Sequence, residues 1–170
     1  INVIKEDELC CHYPILRTIK KQRTQAEYCW TLTPFLIQYC LKGTALDHCI
    51  YIDSDLYFFS SPSFVVEEMG DKSVIITEHN YTPRYDQTMT SGKYCVQFMY
   101  FRKDIKGEAV LEWWREQCEK WCYRRCEDNK FGDQKYLDDW LSRFDCVFVP
   151  RNIGFGLGPW NIQQYSMFVR

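Results

Sequence analysis

The sequence predicts an α/β domain with a mostly parallel central sheet. Short β-rich apolar runs alternate along the chain with helical stretches, which is the pattern of α/β proteins. Most of these runs are continuously apolar, as strands covered on both faces are. The chain has 170 residues, 46% hydrophobic and 17% aromatic, and can therefore bury one substantial core. We expect a single domain over residues 1–170.

Five strands are predicted, each from a short run rich in apolar residues. They are expected over residues 1–4, 49–52, 73–77, 95–101 and 146–149. The stretch at residues 78–93 is polar and rich in turn-forming residues, so we expect it to be an irregular loop over the sheet.

Three helices are predicted from caps and from periodicity. Thr33 is the expected N-cap of the first helix, with Pro34 at its first helical position. Asp133 can cap the third helix in the same way. The three helices are expected over residues 33–43, 108–125 and 133–142.

The charge and hydropathy of the chain exclude several classes of partner. A formal net charge of -2 and a pI near 6.0, with basic residues spread evenly, argue against nucleic-acid binding. No apolar run approaches the roughly 20 residues that cross a bilayer, so no transmembrane segment is expected. The first residue is Ile1 and not Met, which predicts that the chain is a piece of a longer product or has been processed.

Ten cysteines allow disulfides, a metal site or simple packing. Disulfide frameworks are typical of small exported chains without a core, whereas this chain has ample apolar material and no export signal. We therefore predict ten reduced thiols in a cytoplasmic protein. Cys118, Cys122 and Cys126 would form one stripe on a helix, where they could pack in the core or bind a metal through sulfur. Buried packing is the interpretation that we favour.

The stretch "CIYIDSDLYFFSSP" contains the clearest candidate for chemistry. An apolar strand ends there in Asp53 and Asp55, separated only by Ser54. If the extended conformation continues, both side chains lie on the same side and can converge on one ion. Mg²⁺ and Mn²⁺ prefer carboxylate oxygens and complete their coordination with water and substrate phosphates. The pair is suited to a metal-diphosphate, although a turn with two solvated acids is the alternative.

A longer series of motifs resembles one enzyme family. The succession "AEYCWTLTPFLIQYCL", "YIDSDLYFFSSP", "GKYCVQFMYF", "WW", "FGDQKYLDDWL" and "GLGPWN" is similar to the metal-dependent glycosyltransferases of the GT-A fold, of the glycogenin and lipopolysaccharide galactosyltransferase type. The match covers most of the chain, from Ala26 to Asn161. The resemblance implies a three-layer GT-A-like domain. It also implies that the first βα unit, which holds the nucleotide, lies upstream of Ile1, so the isolated chain should bind nucleotide-sugar weakly or not at all.

The resemblance also implies roles for particular residues. Asp53, Ser54 and Asp55 match the acidic segment that holds the metal and the nucleotide diphosphate. Asp133 and Gln134 match a "D-Q" pair beside the sugar, and Asp133 would be the acid near the anomeric carbon. The loop that closes over the phosphates is matched by Gly156, Gly158, Pro159 and Trp160.

Three positions depart from the family pattern. Cys95 stands where the sugar-pocket strand carries an Asn, which removes an amide from that pocket. Asn152 stands at the position of a metal-binding His, and an Asn oxygen can still bind a hard cation. Gly158 stands at the position of a Lys, so a positive charge near the diphosphate is lost.

The expected activity is transfer of a hexose from a nucleotide-diphospho-sugar to a hydroxyl acceptor, such as a glycan. The expected cofactor is Mn²⁺ or Mg²⁺, bound by Asp53, Asp55 and Asn152. A catalytically inactive nucleotide-sugar-binding or scaffold domain is the first alternative, because the three departures would permit it. A protein with a thiol-bound metal is the second alternative.

Overall fold

A computed structural model describes residues 2–152 and 154–166 of the chain. The sheet in this part of the chain has four strands in the order β1-β3-β2-β4. Four of the predicted strands match it to within about two residues at each end, whereas Asn2 to Ile4 form no strand and Ile1 lies outside the described residues. The strands are β1 (His48–Ile52), β2 (Val74–Glu78), β3 (Tyr94–Arg102) and β4 (Val147–Phe148).

The prediction of a mostly parallel sheet is wrong, because the sheet is mixed and mostly antiparallel. The long strand β3 lies between β1 and β2 and runs antiparallel to both, and only β2 and β4 pair in parallel. A continuous apolar run indicates that a strand is covered on both faces, but it does not specify the strand's direction. The connection from β2 to β3 also lacks a long helix of the kind that brings a strand back in parallel. Strands β1, β2 and β4 consequently end at one edge of the sheet, where β3 begins.

Helices cover both faces of this sheet, so the α/β class is confirmed. On one face, apolar residues of α3 and α6 pack against strand residues such as Val74, Met99 and Phe101. On the other face, α4 packs against Phe98 and Tyr100 of β3. The helices are α1 (Glu6–His12), α2 (Leu16–Lys20), α3 (Gln25–Gly43), α4 (Ser63–Met69), α5 (Thr88–Ser91), α6 (Ile105–Lys120) and α7 (Trp140–Arg143). Three short 3₁₀ turns lie at Pro83–Tyr85, Lys135–Asp139 and Ile162–Gln164.

The first predicted helix begins earlier than expected. Thr24, not Thr33, is the N-cap of α3: its hydroxyl accepts from the Glu27 amide, and the Glu27 carboxylate accepts in return from the Thr24 amide. Pro34 therefore lies inside the helix, where a proline typically costs about 3 kcal/mol. Packing of the residues that follow Pro34 offsets this cost, because Phe35 and Ile37 are fully buried in two different apolar clusters.

The second predicted helix ends earlier than expected. Asp104 caps the start of α6 by accepting from the Gly107 amide, and the chain becomes extended at Trp121. Arg23, which lies far from α6 in the sequence, caps the C-terminal end of this helix. Its guanidinium donates to the carbonyl oxygens of Cys118 and Glu119, both at 2.8 Å. This long-range contact satisfies carbonyl groups that have no partner inside the helix.

The cysteine stripe predicted for this helix does not form. Cys118 and Cys122 are fully buried, as expected, but Cys126 is exposed and lies beyond the end of α6. Within residues 2–152 and 154–166, no set of three or more His, Cys, Asp or Glu side chains is arranged to hold a metal ion. The thiol-bound metal site therefore has no supporting geometry in this part of the chain.

The third predicted helix is broken. Residues 135–139 form a 3₁₀ turn that continues into α7, and Gln134, not Asp133, is at its N-cap position. The predicted loop at residues 78–93 is mostly irregular but includes the one-turn helix α5. Neither segment, nor any other helix among the described residues, has the length and apolar character needed to cross a bilayer.

A thiol count tests the prediction that the cysteines are reduced. Titration of the denatured chain without reductant should give ten thiols, and titration of the folded chain should show a fast phase of three. Cys11, Cys29 and Cys126 are exposed and account for the fast phase. A denatured count of eight or fewer would contradict the prediction, because each disulfide removes two thiols.

Candidate functional site

The candidate site lies at the sheet edge where β1 and β2 end and β3 begins. Asp53 directly follows β1, and its amide donates to the carbonyl oxygen of Gln97 at 2.9 Å, so the chain is still tied to β3 at this point. Its carboxylate accepts a 2.6 Å hydrogen bond from the Tyr51 hydroxyl. Burial raises the pKa of Tyr51, and this bond to Asp53 raises it further, which keeps the hydroxyl protonated as a donor. Asp53 is half-buried, and these two hydrogen bonds hold it in a fixed position.

The second acid lies in the turn that follows. The Leu56 amide donates to the Asp53 carbonyl oxygen at 3.3 Å, which closes a turn that contains Ser54 and Asp55. Both of these residues are exposed. Among the described residues, no Lys, Arg or His forms an ion pair with Asp53 or Asp55. Two carboxylates without a protein counter-charge are therefore held in one turn at the strand end.

Asp55 lines a cavity of about 520 Å³, which is within the range of small-molecule sites. One wall is the segment that follows Asp55, and the other is the loop at residues 152–157, excluding residue 153. The cavity is strongly aromatic. Ring centroids of Phe98 and Phe155 are 4.9 Å apart at its inner end, while Tyr57 and Phe59 at its mouth are 78% and 90% exposed.

The loop that carries Gly154, Gly156 and Gly158, called the glycine loop below, approaches β3 closely. Gly156 has a φ of +82°, and a Cβ there would lie 2.9 Å from the Gln97 side-chain nitrogen. At Gly158 a Cβ would lie 2.6 Å from the Trp160 indole ring, so a larger residue would displace the ring. These two positions require glycine for the conformation and for the close contact, respectively.

Asn152 and Trp160 flank this loop. The Asn152 side-chain oxygen accepts from the Gly154 amide at 2.9 Å, and Asn152 lines the same cavity as Asp55. Trp160 packs edge-to-face on His79, and its carbonyl oxygen accepts from Thr82. The buried indole N–H of Trp160 has no hydrogen-bond acceptor within residues 2–152 and 154–166.

Asn161 holds the loop in place, and the sequence prediction did not assign it a role. It is 1% exposed, and its side-chain nitrogen donates to the carbonyl oxygens of His79 and Gly156 at 2.7 and 3.0 Å. Its side-chain oxygen accepts from the Gly158 amide at 2.9 Å. Asn161 is the last residue of the "GLGPWN" motif, and that position could have indicated its role. An Asn side chain after a glycine loop can both donate to and accept from backbone groups that lack other partners.

We expect Asn161→Ala to destabilise the protein by about 1–3 kcal/mol, because one buried and two partly buried backbone groups lose their partner. Chemical denaturation measures this change in the free energy of unfolding. The control is Gln163→Ala, two residues away on the exposed surface, which should stay within about 0.5 kcal/mol of the parent. Equal effects of the two substitutions would contradict this role for Asn161.

Asp133 is buried, with 5% of its surface exposed. The pKa of its carboxyl group is raised to about 7, mainly by burial. The negative charge of Asp53 contributes to this rise, whereas hydrogen bonds from the backbone and from Thr33 oppose it. No basic side chain in the described part of the chain forms an ion pair with it. The backbone around Asp133 is fixed, since its carbonyl oxygen accepts from the Trp114 indole at 2.8 Å. Asp133 can therefore change its protonation state near neutral pH.

Gln134 and the residues after it hold the neighbouring loop. The Gln134 side chain donates to the Ser91 carbonyl oxygen at 2.8 Å. Lys135 is buried, donates to the Thr88 carbonyl oxygen at 2.7 Å and pairs with Asp138 at 2.8 Å. Gln134 thus binds the protein's own backbone, so its geometry supports a positioning role.

The structure brings together some of the predicted site residues and separates others. Asp55, Asn152 and Gly156 line one cavity, and Asp53 influences the titration of Asp133 from the adjacent turn. The cavity is not lined by the remaining predicted residues, which are Ser54, Gln134, Gly158, Pro159 and Trp160. Tyr51, Thr33, Gln97 and Asn161 were not predicted to contribute.

Comparisons with known proteins give relatives but no activity. No family model matches the chain, and no solved structure matches it. Two proteins of Bacillus subtilis strain 168, both described as uncharacterized, do match. YfnF is 34% identical over 160 residues, which is 89% of this chain and 53% of YfnF. YfnD is 32% identical over 161 residues, which is 91% of this chain and 51% of YfnD. The chain spans about half the length of these curated relatives.

Proposed function

We propose that this domain is a glycosyltransferase domain of the GT-A type that transfers a hexose from a nucleotide-diphospho-sugar to a hydroxyl acceptor. The observation that carries the proposal is the pair Asp53 and Asp55, held in one turn without a protein counter-charge, beside a cavity and a glycine loop. A solvated turn would also expose two acids, but it would not require a tyrosine to fix one of them or place the other on a cavity wall.

The residues at this turn fit a divalent metal. Each carboxylate can accept at several positions, so the Tyr51 bond leaves Asp53 with free lone pairs, and Asp55 is exposed with no hydrogen bond from the described residues. Asn152, which lines the same cavity as Asp55, adds an amide oxygen. Oxygen ligands of this kind are those that Mn²⁺ and Mg²⁺ prefer. When bound, such an ion supplies positive charge to a leaving diphosphate.

Other residues prepare the site for the reaction. Tyr51 fixes the Asp53 carboxylate. Gly156 lets the loop backbone approach the Gln97 side chain, and Gly158 lets it approach the Trp160 ring. Trp160 packs beside this loop, and its buried indole N–H lacks an acceptor in the described residues. The buried Asp133 is suited to stabilise positive charge at the sugar or to exchange a proton, because its pKa lies near 7.

A titration with nucleotide-diphospho-sugars and Mn²⁺ tests this function. UDP-glucose, UDP-galactose and GDP-mannose should be compared in the presence of Mn²⁺ and of EDTA, both with this chain and with a longer protein that includes an upstream βα unit. We expect metal-dependent binding and slow hydrolysis in the longer protein. Binding without hydrolysis or transfer would instead support the inactive binding domain, and no binding by the longer protein would refute both.

A further inference from the structure

Thr33 is a polar residue on an otherwise apolar face of α3. Trp30, Ile37 and Leu41 share this face, since they lie at helical spacing from Thr33, and all three pack in the core between α3, α6 and the sheet. Thr33 is 5% exposed. A hydroxyl group that is buried to this extent is stable only where it has hydrogen-bond partners inside the protein.

The packing of two segments on α3 supplies those partners. The Thr33 hydroxyl is within hydrogen-bonding reach of the Tyr51 hydroxyl and of the Asp133 carboxyl group. Helix α3 packs against β1, which carries Tyr51. On the other side, Gly132 has a φ of +53°, and a Cβ there would lie 3.2 Å from the Trp30 ring, so the segment that carries Asp133 lies directly on α3. Thr33 therefore lies between the buried acid and β1.

The resulting series of hydrogen bonds has a direction, because each hydroxyl group carries one proton. Tyr51 donates its proton to Asp53 at 2.6 Å, so the Tyr51 oxygen can only accept from Thr33. When Thr33 donates to Tyr51, it can in turn only accept from Asp133. An ionised carboxylate has no proton to donate, so all three bonds can form together only when Asp133 is protonated.

We propose that Thr33 is a positioning residue for the turn that holds Asp53 and Asp55, because it links the protonation of Asp133 to the hydrogen bond that fixes Asp53. This inference rests on the proposed function, in which Asp53 and Asp55 hold the metal. When Asp133 is protonated, the Thr33 proton points to Tyr51, and a hydroxyl that accepts a hydrogen bond becomes a stronger donor itself. When Asp133 is ionised, the Thr33 proton turns to the carboxylate, and Tyr51 loses this support.

Titratable groups on three elements of the sheet and helices act on Asp133. They are Asp53 and Tyr51 at the end of β1, Cys95 on β3 and Cys118 on α6. Burial raises the pKa of both thiols and of Tyr51, so these three groups are neutral near pH 7. A change in the titration of Asp133 on substitution of Thr33 or Tyr51 therefore reports on the hydrogen bonds that join them.

The pH titration of Asp133 in the 170-residue chain tests this link, with EDTA present and without nucleotide. The ¹³C signal of the carboxyl group follows its protonation, and the loss of that signal in Asp133→Asn assigns it. Thr33→Val keeps the branched shape and removes a hydrogen bond that opposes the raised pKa, so the pKa of Asp133 should rise by about 0.5–1. Tyr51→Phe should lower this pKa instead, because the Thr33 proton is then free to bond to the carboxylate.

Two threonine variants are the controls. Thr33→Ser keeps the hydroxyl group and should titrate as the parent does. Thr31→Val removes a buried hydroxyl of the same helix, which donates to the Glu27 carbonyl oxygen, and should leave the titration of Asp133 unchanged. An unchanged pKa in folded Thr33→Val, or a change of the same sign in Tyr51→Phe, would overturn the inference. If Thr33→Val does not fold, Tyr51→Phe decides alone: a lower pKa supports the link, and an unchanged or higher pKa refutes it.

Turnover by the longer protein separates this inference from the proposed function. Thr33→Val should lower kcat for metal-dependent transfer by about tenfold and leave the KM for the nucleotide-sugar unchanged, because it displaces Asp53 only through Tyr51. Full kcat in Thr33→Val would overturn the positioning role, even where transfer by the parent supports the proposed function. Opposite pKa changes in Thr33→Val and Tyr51→Phe, in a protein that transfers no sugar, would support the link and refute the transferase function.

Discussion

Asp55→Asn should reduce Mn²⁺-dependent turnover of the nucleotide-sugar by at least ~100-fold, because the leaving diphosphate would lose its bound counter-charge. The substitution removes one carboxylate ligand and replaces it with a neutral amide of nearly the same shape. The protein should remain as stable as the parent within about 0.5 kcal/mol, since Asp55 is exposed and forms no ion pair among the described residues. Removing one of two like charges also relieves repulsion in the turn.

Turnover and thermal stability together test this expectation. The assay uses a longer protein that includes an upstream βα unit, measured over a range of Mn²⁺ concentrations. Asp71→Asn, an exposed acid outside the turn, is the matched control and should behave as the parent. Normal turnover by Asp55→Asn would show that this carboxylate does not hold the metal, and the solvated-turn interpretation of "DSD" would then be correct.

Asp133→Asn should raise stability at pH 8 and lower activity at the same time. The pKa of Asp133 is raised to about 7 in the folded protein, mainly by burial, so folding favours the protonated carboxyl group. The folded state then binds more protons than the unfolded state between about pH 4 and 7. Stability from this group is fully present below about pH 4 and is lost as the pH rises to about 7. The loss is on the order of 4 kcal/mol for a shift of about three pH units.

The asparagine variant has no carboxyl group to ionise at this position. Its free energy of unfolding should match that of the parent near pH 4 and exceed it at pH 8, by an amount of the same order as the loss above. Chemical denaturation across this pH range, with EDTA present, measures the difference. Parallel pH profiles for the parent and Asp133→Asn, with Asp71→Asn as control, would contradict the raised pKa. A fall in turnover despite the greater stability is expected of a carboxylate kept for function.

Local patterns predicted the parts of the site that depend on neighbours in the chain. The apolar run before Asp53 specified both strand β1 and the position of the acids at its end. The glycines of the "GLGPWN" motif predicted a tight loop, and both Gly156 and Gly158 are in positions that a side chain would disturb. The motif resemblance selected Asp133, but it gave no indication that this carboxyl group is buried.

Hydrophobic periodicity, which acts over a few residues, was enough to predict the α/β class and four strand positions. It also placed Asp53 and Asp55 at the end of β1, but the extended conformation assumed there is replaced by a turn. The direction of β3 and the end of α6 at the Arg23 contact depend on tertiary contacts. Each of these depends on groups far apart in the chain: Arg23 contacts a carbonyl oxygen 95 residues away. The raised pKa of Asp133 also depends on the tertiary structure. Its main cause is burial, and burial depends on all the groups packed around the carboxyl group and not on its neighbours in the sequence.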